Sequence, residues 1–390
     1  MIPQAVAIQA LEDMPALLLL ELAVNQGMQR RRRRRKRVRP GQHIPPVQAV
    51  VPHRQPPIPC IRASPFDVSP VPIHILYRLD RDTITTILDL IYDVMVSLIN
   101  IRTAIPPLLK VVSVIHFLTT GTYQYTVGQL HSISQPCFSR GLNQVLDALL
   151  KHGRANISLP WTADEVNATK IAFYALAGMP NVIGVLDCTH VKLVVRHPVE
   201  VVYHNRKLYH SLTVQMVCDA SKIIAHCCAR YPGSTHDAMV LQNSTLPCYM
   251  ERHAAQRAWL LGDSGYPLKP WLLTPVRNPQ NRHKEDYNCS HSRTSADITQ
   301  TFGTSKARFH CLSRLGGALR YRHEKVAKII MACVELHNMC ICRNMPLPHD
   351  IELLPPGDDE GEEEDVAGHH RGGDAQEGLT VCKSVIAEYL

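Results

Sequence analysis

The chain has 390 residues, of which 45% are hydrophobic, so it can bury one large core or two or three smaller ones. The short apolar run at residues 17–20 lies among acidic residues and follows no basic region, which argues against a secretion signal or a membrane span there. Thirteen cysteines, an odd number, are scattered through apolar stretches, so we expect reduced thiols that are mostly buried.

The net charge of +8 is concentrated in blocks of one sign. Residues 30–39 are almost all arginine and lysine, and residues 350–365 are rich in aspartate and glutamate. Because such blocks are usually solvated, we interpret residues 1–70 as a disordered, basic, Pro-rich arm and residues 346–390 as an acidic tail. The basic block predicts a nuclear location, with the cytoplasm as a second compartment, or contact with phosphates; an arm without a specific role is the alternative.

A helical region is predicted at residues 80–155. Residues 83–100 carry apolar side chains at helical spacing, and residues 125–133 form a second, short helix. Ser134 then caps a third helix, whose first turn accommodates Pro136 and whose apolar face continues to Leu149. Two helices joined by a tight turn predict a helix-turn-helix-like arrangement, and a plain helical pair is the alternative that periodicity alone favours.

Residues 160–345 change from helical to strand periodicity. Thr162 and Glu165 form a capping box that starts a helix. Strands are predicted at residues 182–195, 211–218, 223–229 and 259–262, and the closing helices at residues 295–312 and 323–342. This order is that of an α/β domain with a ribonuclease-H-like mixed sheet flanked by helices. If the first strand is central and adjoins the fourth, Asp187 and Asp263 come together.

Three aspartates stand at strand or turn signals: Asp187, Asp237 and Asp263. Carboxylates at the ends of apolar strands suit the hard cations Mg²⁺ and Mn²⁺, and two such ions can activate water and stabilise the leaving oxygen in phosphodiester cleavage. A carboxylate amid an apolar strand, as Asp187 is, needs a partner or a metal ion. Asp237 is also explained by the helix dipole, which favours an acid in the first turn.

Several motifs follow one another between residues 80 and 344. They are GTYQ (121–124), SQP (134–136), LAGMP (176–180), GVLDCTH (184–190), NRK (205–207), VCDA (217–220), PGSTHD (232–237), LGDSGYP (261–267), ARF (307–309) and LHN (336–338). In this order they resemble the transposases of the PIF/Harbinger superfamily and the Harbinger transposase-derived nucleases.

The resemblance implies a DDE endonuclease that cleaves DNA with a divalent metal cation, Mg²⁺ or Mn²⁺. It implies that Asp187 and Asp263 are catalytic metal ligands and that Asp237 is a further metal ligand. It also implies that DNA recognition is shared with a Myb-like DNA-binding partner protein.

The chain departs from the family's pattern at Thr299, which occupies the place of the last acidic ligand, a glutamate. Asp297 cannot replace it, since two residues along a helix rotate a side chain by about 200°. Loss of a residue that only supports a metal ligand costs about 10–100-fold in metal affinity or activity. Loss of the ligand itself should cost at least as much, so we expect impaired cleavage. The alternatives are a catalytically inactive DNA- or partner-binding protein and a decaying element copy.

Four basic residues stand near the predicted site in sequence: Arg206, Lys207, Lys306 and Arg308. They are candidates for contact with DNA phosphates. Arginine and lysine are also common on solvated surfaces, which is the alternative.

Overall fold

Five helices lie between residues 72 and 153 in the computed structural model, which describes Phe66 and residues 72–95, 105–153, 157–160, 162–196, 200–253, 256–314, 316–347 and 373–389. The predicted basic arm, except Phe66, and residues 348–372 of the acidic tail lie outside these ranges. All described residues belong to one unit, Ile61–Leu390. The five helices are α1 (Ile73–Tyr77), α2 (Arg81–Met95), α3 (Pro107–Thr120), α4 (Gln124–Leu130) and α5 (Gln135–Gly153).

Helix α3 is the centre of this helical part, because every residue from Val111 to Thr119 is buried. Helix α5 packs against α2, α3 and α4 through an apolar face that includes Phe138 and Leu149. The turn between α4 and α5 is short, and Ile133 donates its backbone N–H to Gly128 at 2.7 Å. Arg140, Asn143 and Gln144 are exposed on the opposite side of α5. The two helices and their short turn are present, and a helix-turn-helix role for them stays a prediction.

Among the described residues the sheet has five strands, in the order β3-β2-β1-β4-β5. The strands are β1 (Val182–Lys192), β2 (Ser211–Cys218), β3 (Ile224–Pro232), β4 (Trp259–Leu261) and β5 (Leu272–Leu273). The first three form an antiparallel meander, whereas β4 runs parallel to β1 and to β5. The predicted mixed sheet is therefore confirmed, with β1 at its centre and adjoining β4.

Six further helices follow in the described part of the chain before residue 347. They are α6 (Ala163–Ala177), α7 (Glu200–Tyr203), α8 (Asp237–Gln242), α9 (Leu246–Arg252), α10 (Arg282–Arg308) and α11 (His323–Cys342). Helices α10 and α11 join the larger core through side chains such as Phe302 and Ile330, while α8 and α9 join a smaller core with Leu186 and Leu260. The predicted ribonuclease-H-like α/β class is confirmed by this arrangement.

Helix α10 begins 13 residues before the predicted start at residue 295. Asn281 caps its first turn, where its side-chain oxygen accepts a hydrogen bond from the backbone N–H of Lys284 at 3.0 Å. The first half of α10 is mostly polar, which is why apolar spacing alone did not reveal it.

A last helix, α12 (Gly373–Tyr389), lies in the region interpreted as an acidic tail. It packs against α10 and β5 and buries Cys382 and Val385. All twelve cysteines in the described part of the chain are free thiols. None of the described helices combines the length and the apolar character that a membrane crossing requires.

Candidate active-site cleft

The register of two parallel strands brings Asp187 and Asp263 to the same place. Val185 of β1 pairs with Leu261 of β4. Asp187 comes two residues after Val185, and Asp263 comes two residues after Leu261. Both aspartates therefore stand at the same level along the two strands. Both side chains line one cleft of about 430 Å³.

Helix α10 forms the opposite wall of this cleft. It contributes Asn288, His291, Ser292, Ser295, Ile298 and Thr299. These positions recur every three or four residues, which is the spacing of one helix face. The wall that faces the two carboxylates therefore consists of amide, hydroxyl, imidazole and apolar groups.

Thr299 lines the cleft, and Asp297 does not. Burial raises the pKa of Asp297, and nearby Lys222, in the turn between β2 and β3, opposes that rise. Lys222 also donates a hydrogen bond to Gln300 at 2.8 Å. Asp297 thus faces the β2–β3 turn, as its angular offset from Thr299 on the helix requires.

Backbone N–H groups orient both cleft carboxylates. One Asp187 oxygen accepts a hydrogen bond from the N–H of Cys188 at 2.7 Å, and one Asp263 oxygen accepts from the N–H of Gly265 at 3.2 Å. Such bonds favour the ionised carboxylate, which is the form that binds a cation.

Asp237 lies at the first position of α8 and is not among the residues that line the cleft. The pKa of the Cys188 thiol is raised well above its ordinary value. Burial is the largest cause, and the nearby Asp237 carboxylate is the second. That thiol lies 3.2 Å from the hydroxyl of Tyr266, whose pKa is raised by burial and then by Cys188 and Asp237. The Asp187 carboxylate also contributes to both of these shifts, so Asp187 and Asp237 lie near the same thiol and hydroxyl.

The donor set fits a hard cation that keeps part of its water shell. No three histidine, cysteine, aspartate or glutamate side chains in the described ranges are arranged to hold one metal ion. Mg²⁺ is commonly bound by one or two carboxylates together with waters and substrate phosphates, and Asp187 with Asp263 provides that pair. The role of Asp237 as a third ligand stays a prediction.

His291 also lines the cleft, and none of the sequence motifs marks it. Its Nε2 donates to the carbonyl of Leu273 at 3.3 Å, so its Nδ1 accepts from the hydroxyl of Ser295, also at 3.3 Å. Burial lowers the pKa of His291 to about 4, which keeps the ring neutral at pH 7. The predicted helix begins at residue 295 and so excludes His291. A start nearer the N-terminus places His291 on the same helix face as Ser295 and Thr299, because the three recur every four residues.

The basic candidates divide into two groups. Arg206 and Lys207 are exposed, as contact with phosphates requires. Arg308 is only 1% exposed and donates hydrogen bonds to the carbonyls of Arg78 at 2.9 Å and Met345 at 2.8 Å. Lys306 is also buried. The structure therefore corrects the expectation for Lys306 and Arg308, because neither side chain reaches a surface that DNA can approach.

The fold is that of a DDE-type nuclease domain, and comparison with known proteins gives the same class. Residues 186–338 match the family model described as "DDE superfamily endonuclease". The mouse protein named "Putative nuclease HARBI1" is 38% identical over 262 residues, which cover 66% of this chain and 75% of that protein.

Other relatives extend the comparison beyond mouse. The human protein of the same name is 39% identical over 242 residues, covering 62% of this chain and 69% of the relative. "Protein ALP1-like" of Arabidopsis thaliana is 26% identical over 240 residues, covering 57% and 58%. No solved structure matches the chain. The chain belongs to the family of Harbinger transposase-derived DDE nucleases.

Proposed function

We propose that the chain hydrolyses phosphodiester bonds in DNA with the help of a divalent cation, Mg²⁺ or Mn²⁺, that Asp187 and Asp263 hold. The observation that carries this proposal is the shared cleft, into which the two carboxylates open from matched positions on β1 and β4. When bound, such a cation polarises the phosphate and lowers the pKa of a bound water.

The protein's own residues would bind and orient the reactants. The two carboxylates are held by backbone N–H groups, so they need little reorganisation to receive the cation. His291 is neutral at pH 7 and fixed between Leu273 and Ser295, so it adds no positive charge that would repel the cation. Asp237 remains a proposed further ligand, and we expect a smaller contribution from it than from the cleft pair because it does not line the cleft.

We propose that cleavage is slow because Thr299 faces the cleft where the family has a glutamate. Threonine offers a neutral hydroxyl in place of a carboxylate, so the cation is less well held. Removal of supporting partners alone costs about 10–100-fold, and we expect loss of a direct ligand to cost at least as much.

A second candidate function is binding of DNA or a partner protein without cleavage, and the same residue, Thr299, favours it. In this case α4 and α5 would present the exposed side chains of Arg140, Asn143 and Gln144 to DNA as a helix-turn-helix-like element. A Myb-like DNA-binding protein in the nucleus would supply the remaining sequence recognition.

Cleavage of branched and terminal-repeat DNA in Mn²⁺ separates the two candidates. The nuclease proposal predicts slow, metal-dependent cutting that Asp187→Asn and Asp263→Asn each abolish. The control Asp297→Asn should cut at the rate of the unaltered chain, because Asp297 lies outside the cleft. Retained DNA binding with no metal-dependent cutting at any enzyme concentration would favour the binding protein.

A further inference from the structure

Leu208 is an apolar side chain held out into solvent. It is 83% exposed, more than any other large hydrophobic residue in the described part of the chain. Its backbone φ is +60°, in the left-handed region that a bulky residue seldom adopts. A leucine that is both exposed and in an unfavourable backbone conformation contributes little to folding, which makes a role in contact with another molecule worth testing.

The turn that carries Leu208 is rigid. Asn205 is buried, and its carbonyl accepts from the N–H of Leu208 at 3.0 Å. Its side-chain oxygen accepts from the N–H groups of Lys207 at 3.1 Å and Tyr209 at 3.3 Å. The N–H of Asn205 in turn donates to the carbonyl of Tyr209 at 3.1 Å. Four hydrogen bonds therefore fix the direction in which Leu208 points.

Cationic side chains surround this turn. Arg206 and Lys207 precede Leu208 and are exposed. At the base of the turn, the ring of Tyr209 has Lys192 at 5.5 Å and Arg314 at 5.8 Å from its centroid. The turn thus combines one apolar side chain with four cationic ones. Double-stranded DNA is complementary to this combination, because its phosphates are anionic and its stacked bases have apolar faces.

The turn also lies within reach of the cleft. Lys192 pairs with Ser211 where β1 and β2 leave the sheet, five residues after Asp187. At roughly 3.3 Å per strand residue, Lys192 at the base of the turn lies about 17 Å along β1 from Asp187. Arg206 lies 3.3 Å from the ring of His236, next to Asp237, so the turn borders the acidic end of α8.

We propose that Leu208 is a wedge that inserts between base pairs of bound DNA. Arg206 and Lys207 hold the backbone on either side, and the leucine unstacks one base step and bends the duplex. Proteins that insert an apolar side chain in this way couple the unstacking to a larger contact with the bent DNA. The inference rests on the proposed DNA substrate, but it does not require cleavage.

Fluorescence of 2-aminopurine, which rises when the base loses its stacking neighbours, tests the wedge. A short duplex is labelled at successive positions and mixed with the full chain. We expect the signal to rise at one step and to be lost with Leu208→Asn. Asparagine has nearly the shape of leucine and tolerates the left-handed conformation, so this variant should fold, but its polar amide does not insert. Leu208→Gly, which relaxes the backbone, should also lose the signal.

The control is Ile171→Ala on α6, which removes another exposed apolar side chain, 71% exposed, and should keep the full signal. Binding by both Leu208 variants with an unchanged 2-aminopurine signal would overturn the wedge and leave the nuclease proposal standing. A signal that depends on Leu208 without cleavage in Mn²⁺ would support the wedge and overturn the nuclease proposal. Absence of any DNA binding would overturn both.

Discussion

Thr299 lies two helical turns after His291 on the face of α10 that closes the cleft opposite Asp187 and Asp263. Both residues therefore face the space in which a cation would bind. His291 has both ring nitrogens engaged by Leu273 and Ser295, and Thr299 is the place where the family's pattern has the carboxylate that would complete the site.

The substitution Thr299→Glu should raise metal-dependent cleavage by about 10–100-fold or more, because it supplies a third carboxylate at the cleft. The rate of cutting at saturating Mn²⁺ measures this gain. Gln300→Glu, the next residue along α10 and outside the cleft, is the matched control and should add the same negative charge without the gain. An unchanged rate in Thr299→Glu would show that the site has decayed at more than one position.

Strand periodicity predicted most of the sheet, because buried strands carry continuous apolar runs. The predicted second strand agrees with β2, Ser211–Cys218, and the predicted neighbour relation of the first and fourth strands agrees with the pairing of Val185 with Leu261. The short strand β5, Leu272–Leu273, gave no comparable pattern, since two residues are too few for periodicity.

The sequence also indicated the cleft pair and Thr299, because the family motifs mark those positions directly. It could not show that Arg308 is internal, since arginine is usually exposed and only the fold places the carbonyls of Arg78 and Met345 around it. Helix α12 was missed for a related reason: its few buried residues, such as Val385, follow a long acidic stretch that predicts solvation.

Loss of the buried guanidinium should destabilise the fold without a direct effect on the cleft. Arg308→Met leaves the carbonyls of Arg78 and Met345 without their donor, so we expect the free energy of unfolding to fall by about 2–5 kcal/mol. Urea denaturation measures this change. Arg206→Met, at an exposed position, should change it by less than about 0.5 kcal/mol. Equal stability of the two variants would contradict the structural role of Arg308.

The buried histidine His337 should make the fold sensitive to acid. Its Nε2 donates to the carbonyl of Lys222 at 3.0 Å, and burial lowers its pKa to about 4, below the value of about 6.5 in an unfolded chain. Between these values the unfolded state binds the additional proton. Stability from this residue is thus fully present above pH 6.5 and declines as the pH falls towards 4, by up to about 1.4 kcal/mol per pH unit.

Urea denaturation of His337→Gln at pH 7 and pH 5 isolates this contribution. The variant should be less stable at pH 7 and should lose less stability than the unaltered chain on going to pH 5. His283→Gln, on an exposed turn of α10, is the control and should follow the unaltered chain at both values. Parallel pH dependences in all three proteins would rule out a buried neutral His337.

Calorimetric titration with Mn²⁺ tests the central claim, that Asp187 and Asp263 share one cation site. The full chain should bind the ion, Asp187→Asn and Asp263→Asn should each abolish binding, Asp237→Asn should weaken it less, and Thr299→Glu should tighten it. Unchanged Mn²⁺ binding in both Asp187→Asn and Asp263→Asn would contradict the shared site.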